Sequence, residues 1–167
     1  MQPFDALHRL RDIEEFQLDF FEQQVPAREW KVMAELTFKL DTPVLADESV
    51  FSPADAFRAV ESRIANCFSI KVMKSGGMRR AQEVAVVASA GGIDCYSGDM
   101  FETGLAHLAR VQMIAGSPNI SLGCKFYQAS YYPEQDLLVE PFPLSDGFVV
   151  VPETPGLGID IDSDILK

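Results

Sequence analysis

The sequence predicts an α/β fold built on a parallel sheet, and three observations carry that prediction. Short apolar runs end near residues 22, 47, 71, 96 and 124, with helix-patterned segments between them. The steps are close to 25 residues, about the length of one strand plus one covering helix. The third observation is chemical: Glu22, Asp47 and Lys71 each close one of the first three runs, 25 and 24 residues apart. Polar groups at the carboxyl ends of neighbouring parallel strands point into one shared mouth.

The elements follow in order. Leu7, Leu10, Ile13 and Phe16 recur at steps of three and predict a helix over 4–16. A strand over 18–22 comes next. Pro26 opens a second helix, about 27–40, carrying Trp30, Met33, Leu36 and Leu40. After the strand 43–47, Ser52-Pro53 with Asp55 starts a helix that runs to about Ala65. The strand 67–72 leads through Ser75-Gly76-Gly77, a tight turn, into a helix over 78–90 that Gly91-Gly92 closes. A strand over 93–96, a loop holding Glu102 and a helix over 104–115 precede the breaker Gly116-Ser117-Pro118-Asn119 and a last strand, 120–124.

Beyond Tyr132 the pattern changes. Residues 137–142 and 148–151 read as extended, separated by the turn Ser145-Asp146-Gly147, and Pro152, Pro155, Gly156 and Gly158 mark an irregular tail. Residues 1–132 are therefore expected to form one α/β unit and 133–167 an extension packed either on it or on a further, capping domain. A full eight-unit barrel takes ~250 residues, so about five units fit this chain. An open doubly wound sheet of five strands fits the same count.

With 167 residues, 47% of them apolar, the chain can bury one core. A net charge of −11 argues against a nucleic-acid partner, which needs a basic surface, and disfavours anionic membranes. No apolar run reaches the ~18 residues of a membrane span and no basic-then-apolar leader is present, so a cytoplasmic protein is expected. Cys67, Cys95 and Cys124 lie in or beside apolar runs and form no CxxC pair; reduced core thiols are expected.

Acidic oxygens from Glu22 and Asp47 converging on one mouth suit Mg²⁺ or Mn²⁺, both of which prefer hard ligands. Two carboxylates leave such a site one short of a comfortable protein set. Lys71 faces the same mouth, and a lysine partly desolvated beside a divalent cation can serve as a base. Glu48 points away from Asp47, either to orient Lys71 or to cap a helix. Glu102 on its loop and Lys125 at the end of the fifth run are candidates for contact with substrate. Lys74, before the Gly-Gly turn, is expected in solvent, and His107, inside a helix, is expected to be structural.

These motifs resemble those of a known family. Phe21-Glu22-Gln23-Gln24-Val25-Pro26 is similar to the EQPxP stretch of the enolase superfamily, and Ala46-Asp47-Glu48-Ser49 to its ADES stretch. The run from Ile70 to Gly77 resembles its LKxxKxGG stretch, and Met100-Phe101-Glu102-Thr103-Gly104 and Pro155-Gly156-Leu157-Gly158 resemble later landmarks. Together they resemble the muconate lactonizing subgroup of the mandelate racemase/muconate lactonizing enzyme family. The resemblance implies the C-terminal part of a TIM-like (β/α)7β barrel, with Glu22 and Asp47 as metal ligands, Lys71 as the acid/base lysine and Glu48 as its neighbour. Sites of this superfamily pair a Lys or His base with one or two Mg²⁺ ions that hold an enediolate.

Departures are equally specific. The VDxN stretch that carries the family's first metal ligand, its Lys-x-Lys strand and its N-terminal capping domain have no counterpart in these residues. Lys125 stands where relatives often carry an acid, and Gln24 where proline is usual. The implied reaction moves a proton beside a carboxylate: cycloisomerisation, racemisation or epimerisation, or dehydration. By analogy alone, the Gly123–Tyr127 stretch favours an amino-acid or proline-type substrate. The 167 residues by themselves are expected to turn over little. Two other readings stay open: a non-catalytic partial barrel that self-associates into a homo-oligomer through open edge strands, and an open α/β binding domain.

Overall fold

The computed structural model describes residues 3–126 and 136–165. The expected boundary at 132/133 and Tyr127 lie outside them. Helix α1 spans Pro3–Ile13, and a 3-10 turn, Glu14–Phe16, replaces the last turn expected of it. Gln17 ends that turn with a left-handed φ of 52°. Strand β1 is Phe21–Glu22, α2 Trp30–Lys39, β2 Val44–Ala46, α3 Pro53–Ser62 and β3 Cys67–Ile70. A short helix α4, Val72–Ser75, precedes α5, Met78–Ala90; then come β4, Asp94–Ser97, and α6, Gly104–Ala115.

The four strands lie in the order β1-β2-β3-β4, every neighbouring pair parallel. Strands adjacent in sequence are adjacent in space throughout. A doubly wound sheet reverses its strand order at a switch point, and none occurs along these four strands. Val44, Leu45 and Ala46 are fully buried, as are all residues of β3 to within 3%; both faces of a parallel sheet are covered in this way. Met33, Leu36, Ala56, Ala59, Ala81, Val84, Ala85 and Ala88 supply the helical side of the core.

Local chemistry sets the boundaries. The Ser52 side chain accepts from the Asp55 N–H, and the Asp55 carboxylate accepts in return from the Ser52 N–H, so α3 begins with a capping box. The turn expected at Ser75-Gly76-Gly77 is the end of α4, where Gly76 takes φ +82° and Gly77 φ +128°.

The expected fifth strand is reduced to one parallel bridge, Ser97↔Cys124. Cys95 N–H still donates to Asn119 O (2.9 Å) and Ser97 N–H to Gly123 O (3.0 Å). Gly123, at φ +96°, breaks the extended geometry inside the segment, and beyond it Lys125 N–H still donates to Ser97 O at 3.2 Å.

Past the undescribed stretch, β5 (Leu144–Ser145) and β6 (Phe148–Val149) form an antiparallel hairpin. Asp146 and Gly147, both at positive φ, make its two-residue loop. Leu138 bridges Ile161, and the Asp136 carboxylate accepts from Gly104 N–H at 3.0 Å, which seats the extension on the positive end of α6. Cys67 and Cys95 are buried thiols, as expected; Cys124 is exposed, a correction that follows from the loss of the fifth strand around it.

Candidate active site

Strand register delivers the first three polar groups to one face. Glu22 pairs with Leu45, and Leu45 with Cys67. Asp47 lies two residues beyond Leu45 and Lys71 four beyond Cys67. Even offsets keep side chains on the same face of the pleat. The growing stagger is the one by which tilted strands close into a barrel.

Asp47 is the hub. Lys71 Nζ donates to Asp47 Oδ2. Lys74 Nζ donates to Asp47 Oδ1 (2.7 Å), to Asp47 O (2.8 Å) and to Ser69 O (2.7 Å). Lys74 is thus not in solvent: its side chain is 6% exposed. The α4 turn carries it back over the end of β3. Burial alone would raise the Asp47 carboxyl, but Lys74 and Lys71 outweigh it and hold it below its ordinary value. Burial pulls Lys74 down, with Asp47 opposing.

Glu22 is more open, its side chain 31% exposed, with Lys125 Nζ 3.8 Å from Oε2. Burial lifts its carboxyl, Lys125 works against that, and the neighbouring Asp47 adds to it. Gln23, which carries no charge to mark it as a site residue, fixes the spacing of the two acids. Its Oε1 accepts from Asp47 N–H (2.9 Å) and Ser49 N–H (3.2 Å), and its Nε2 donates to Ser49 Oγ (3.0 Å).

The other expected residues part company here. Glu48 is exposed, forms no hydrogen bond to Lys71 among the described residues, and caps no helix, since Ser52 and Asp55 do that for α3. Glu102 turns inward, with Oε2 3.6 Å from Arg110 Nη1 and 3.7 Å from His107 Nε2. Burial raises its carboxyl, while Arg110 pulls the other way. His107 is fully buried with rings of Phe126 and Phe142 edge-on to it. Burial first, then Arg110, lowers its imidazole to about 4, so the ring is neutral at pH 7.

The donor chemistry suits a hard divalent cation: two carboxylates, one of them lifted first by burial and then by its partner's charge, share the mouth. The set is short, because no group of three His, Cys, Asp or Glu residues able to hold a metal occurs among the described residues. Glu22 and Asp47 therefore fit as part of a site, not as the whole of one.

Fold and site together define an α/β protein of the barrel type with a carboxylate–lysine centre at the carboxyl ends of its strands. The family described as "Enolase C-terminal domain-like" matches residues 1–165. The chain belongs to the mandelate racemase/muconate lactonizing enzyme family of the enolase superfamily.

Muconate cycloisomerase 1 of Rhodococcus opacus is 33% identical over 150 residues, 90% of this chain and 40% of that protein. L-Ala-D/L-Glu epimerase of Bacillus subtilis is 33% identical over 169 residues, 99% of this chain and 45% of that one. The solved muconate cycloisomerase from Azorhizobium caulinodans superposes with a TM-score of 0.89 at 42% identity, covering 99% of this chain and 46% of that chain. The chain spans less than half the length of these relatives. They are isomerases by name, cycloisomerase and epimerase. No described helix is long and apolar enough to cross a membrane.

Proposed function

We propose that this chain supplies the carboxylate–lysine half of an isomerase site that moves a proton on the carbon beside a substrate carboxylate. The supporting observation is the convergence of Glu22, Asp47 and Lys71 at the ends of three consecutive parallel strands, with Asp47 held between two ammonium groups. Glu22 and Asp47 would hold Mg²⁺ or Mn²⁺, completed by donors beyond the described residues. When bound there, a cation would offset the charge that builds on the substrate carboxylate as the proton leaves.

Lys71 takes or returns the proton, and the enediolate is the species between. Lys74 and Gln23 keep Asp47 in place by holding its carboxylate and its backbone. Lys125, beside Glu22, meets the anionic part of the substrate. Glu102, held against Arg110 and His107, is the second candidate for contact with substrate. The segment 1–132 is the partial barrel and 133–167 its extension, with the whole working in the cytoplasm.

The test is solvent-deuterium incorporation at the α-carbon of small carboxylates, muconate and dipeptides first, by the protein that carries this segment. Lys71→Ala is expected to slow exchange by about 10²–10⁴-fold. Exchange at the wild-type rate in that variant refutes the assignment.

A second reading has its own support. Among the described residues, β1 pairs on one side only, and nearby Phe16 and Leu18 are 67% and 44% exposed. An open edge of this kind is a template for association with a second copy, and it favours a non-catalytic partial barrel for the 167 residues taken alone.

A further inference from the structure

Arg110 is fully buried on α6, and its guanidinium reaches the ends of two neighbouring segments at once. Nη1 donates to Gly98 O at 2.6 Å and Nη2 to Lys125 O at 2.7 Å. The planar head lies 4.2 Å from the centre of the Phe126 ring. Asp99 and Glu102 face it, Oδ2 at 3.8 Å from Nη2 and Oε2 at 3.6 Å from Nη1. A buried cation persists only where acids and acceptors compensate it, and here the acceptors are backbone carbonyls at the rim of the mouth.

Gly98 is what couples this clamp to the site. A Cβ on Gly98 would stand 2.4 Å from Ser69 Oγ and 2.6 Å from Lys71 Cε. The Gly98 backbone is therefore a wall laid directly against the Lys71 stem. On its far side the same peptide unit is tied by its carbonyl to Arg110.

We propose that Arg110 is a positioning residue that fixes the Lys71 side chain through Gly98. Asp47 holds the end of the Lys71 chain, and the clamped Gly98 confines its stem. Lysine cannot reproduce this, because a single ammonium does not span both carbonyls with a rigid planar fork. The importance of the inference rests on Lys71 as the acid/base group, but its test does not.

The test uses the 167-residue chain labelled with ¹³C-lysine, with the Lys71 Cε signal assigned by its loss in Lys71→Arg. A confined stem gives the two ε-methylene protons separate shifts. Arg110→Lys and Arg110→Met are expected to merge them while circular dichroism shows the fold retained. Gly98→Ala is expected to displace the same signal with Arg110 intact. In the protein that carries this segment, Arg110→Lys is expected to lower kcat by about 10²-fold and leave KM unchanged.

A Lys71 signal that stays split in either folded Arg110 variant, or is unmoved in Gly98→Ala, overturns the proposal. So does failure of both Arg110 variants to fold, which makes Arg110 a folding residue only. Merged signals in a protein that exchanges no substrate proton support the positioning claim and sink the functional reading alone.

Discussion

Neither ammonium on Asp47 is open to water, and that burial decides what each can do. Lys74 spends its three protons on Asp47 and on the Ser69 carbonyl, so it is a fixture of the site. Lys71 is bonded to Asp47 by a single contact, which is compatible with the proton-transfer role proposed for it. Glu22, Asp47 and Lys71 are legible in the sequence because acids and a lysine at the ends of apolar runs are conspicuous. The inward position of Lys74 is not legible, because the α4 turn that folds it inward spans four residues and leaves no periodic trace. Gln23 and Arg110 escaped notice because they act through backbone groups.

His107 carries a prediction at the same scale. Unfolded, its ring takes a proton near the ordinary 6.5; folded, only near 4. Between those values the unfolded chain binds the extra proton. The stability His107 contributes is therefore full above about pH 6.5 and is lost as pH falls toward 4, a term on the order of 3 kcal/mol. Glu102, raised by burial, protonates first in the folded state and works in the opposite sense over part of that range. Urea unfolding between pH 7 and 4 should show a shallower decline in His107→Leu than in wild type. Identical pH slopes would remove His107 from the acid limb.

Among the elements, helices were the most legible. The start of α3 was readable from Ser52-Pro53 and Asp55, and the capping box forms as those residues imply. Ser52→Ala is expected to cost about 1 kcal/mol, read as a lower urea midpoint at unchanged slope. A loss below a few tenths would mean that tertiary packing alone holds that end. Strands were legible in position and not in extent: β1 has two residues where five were expected. Barrel strands pair only over the stretch where neighbours overlap, and stagger shortens that overlap. The fifth strand is interrupted at Gly123, whose positive φ is a backbone property that composition does not announce, and only the Ser97↔Cys124 bridge follows it.

The whole molecule follows from register more than from any single residue. Four parallel strands in sequential order, staggered in one sense, carry their polar ends to one mouth. β1 leaves an edge unpaired among the described residues. Sedimentation of the 167-residue chain should show mass rising with concentration; a monomer throughout would argue against edge association.

The proposed function requires this mouth to hold a divalent cation beside Lys71. The direct measurement is Mn²⁺ binding, followed by electron paramagnetic resonance, in the protein that carries this segment and in its Glu22→Gln and Asp47→Asn variants. Binding is expected in the wild type and is expected to weaken in each variant. Equal affinity in all three proteins, or no binding in the wild type, would contradict it.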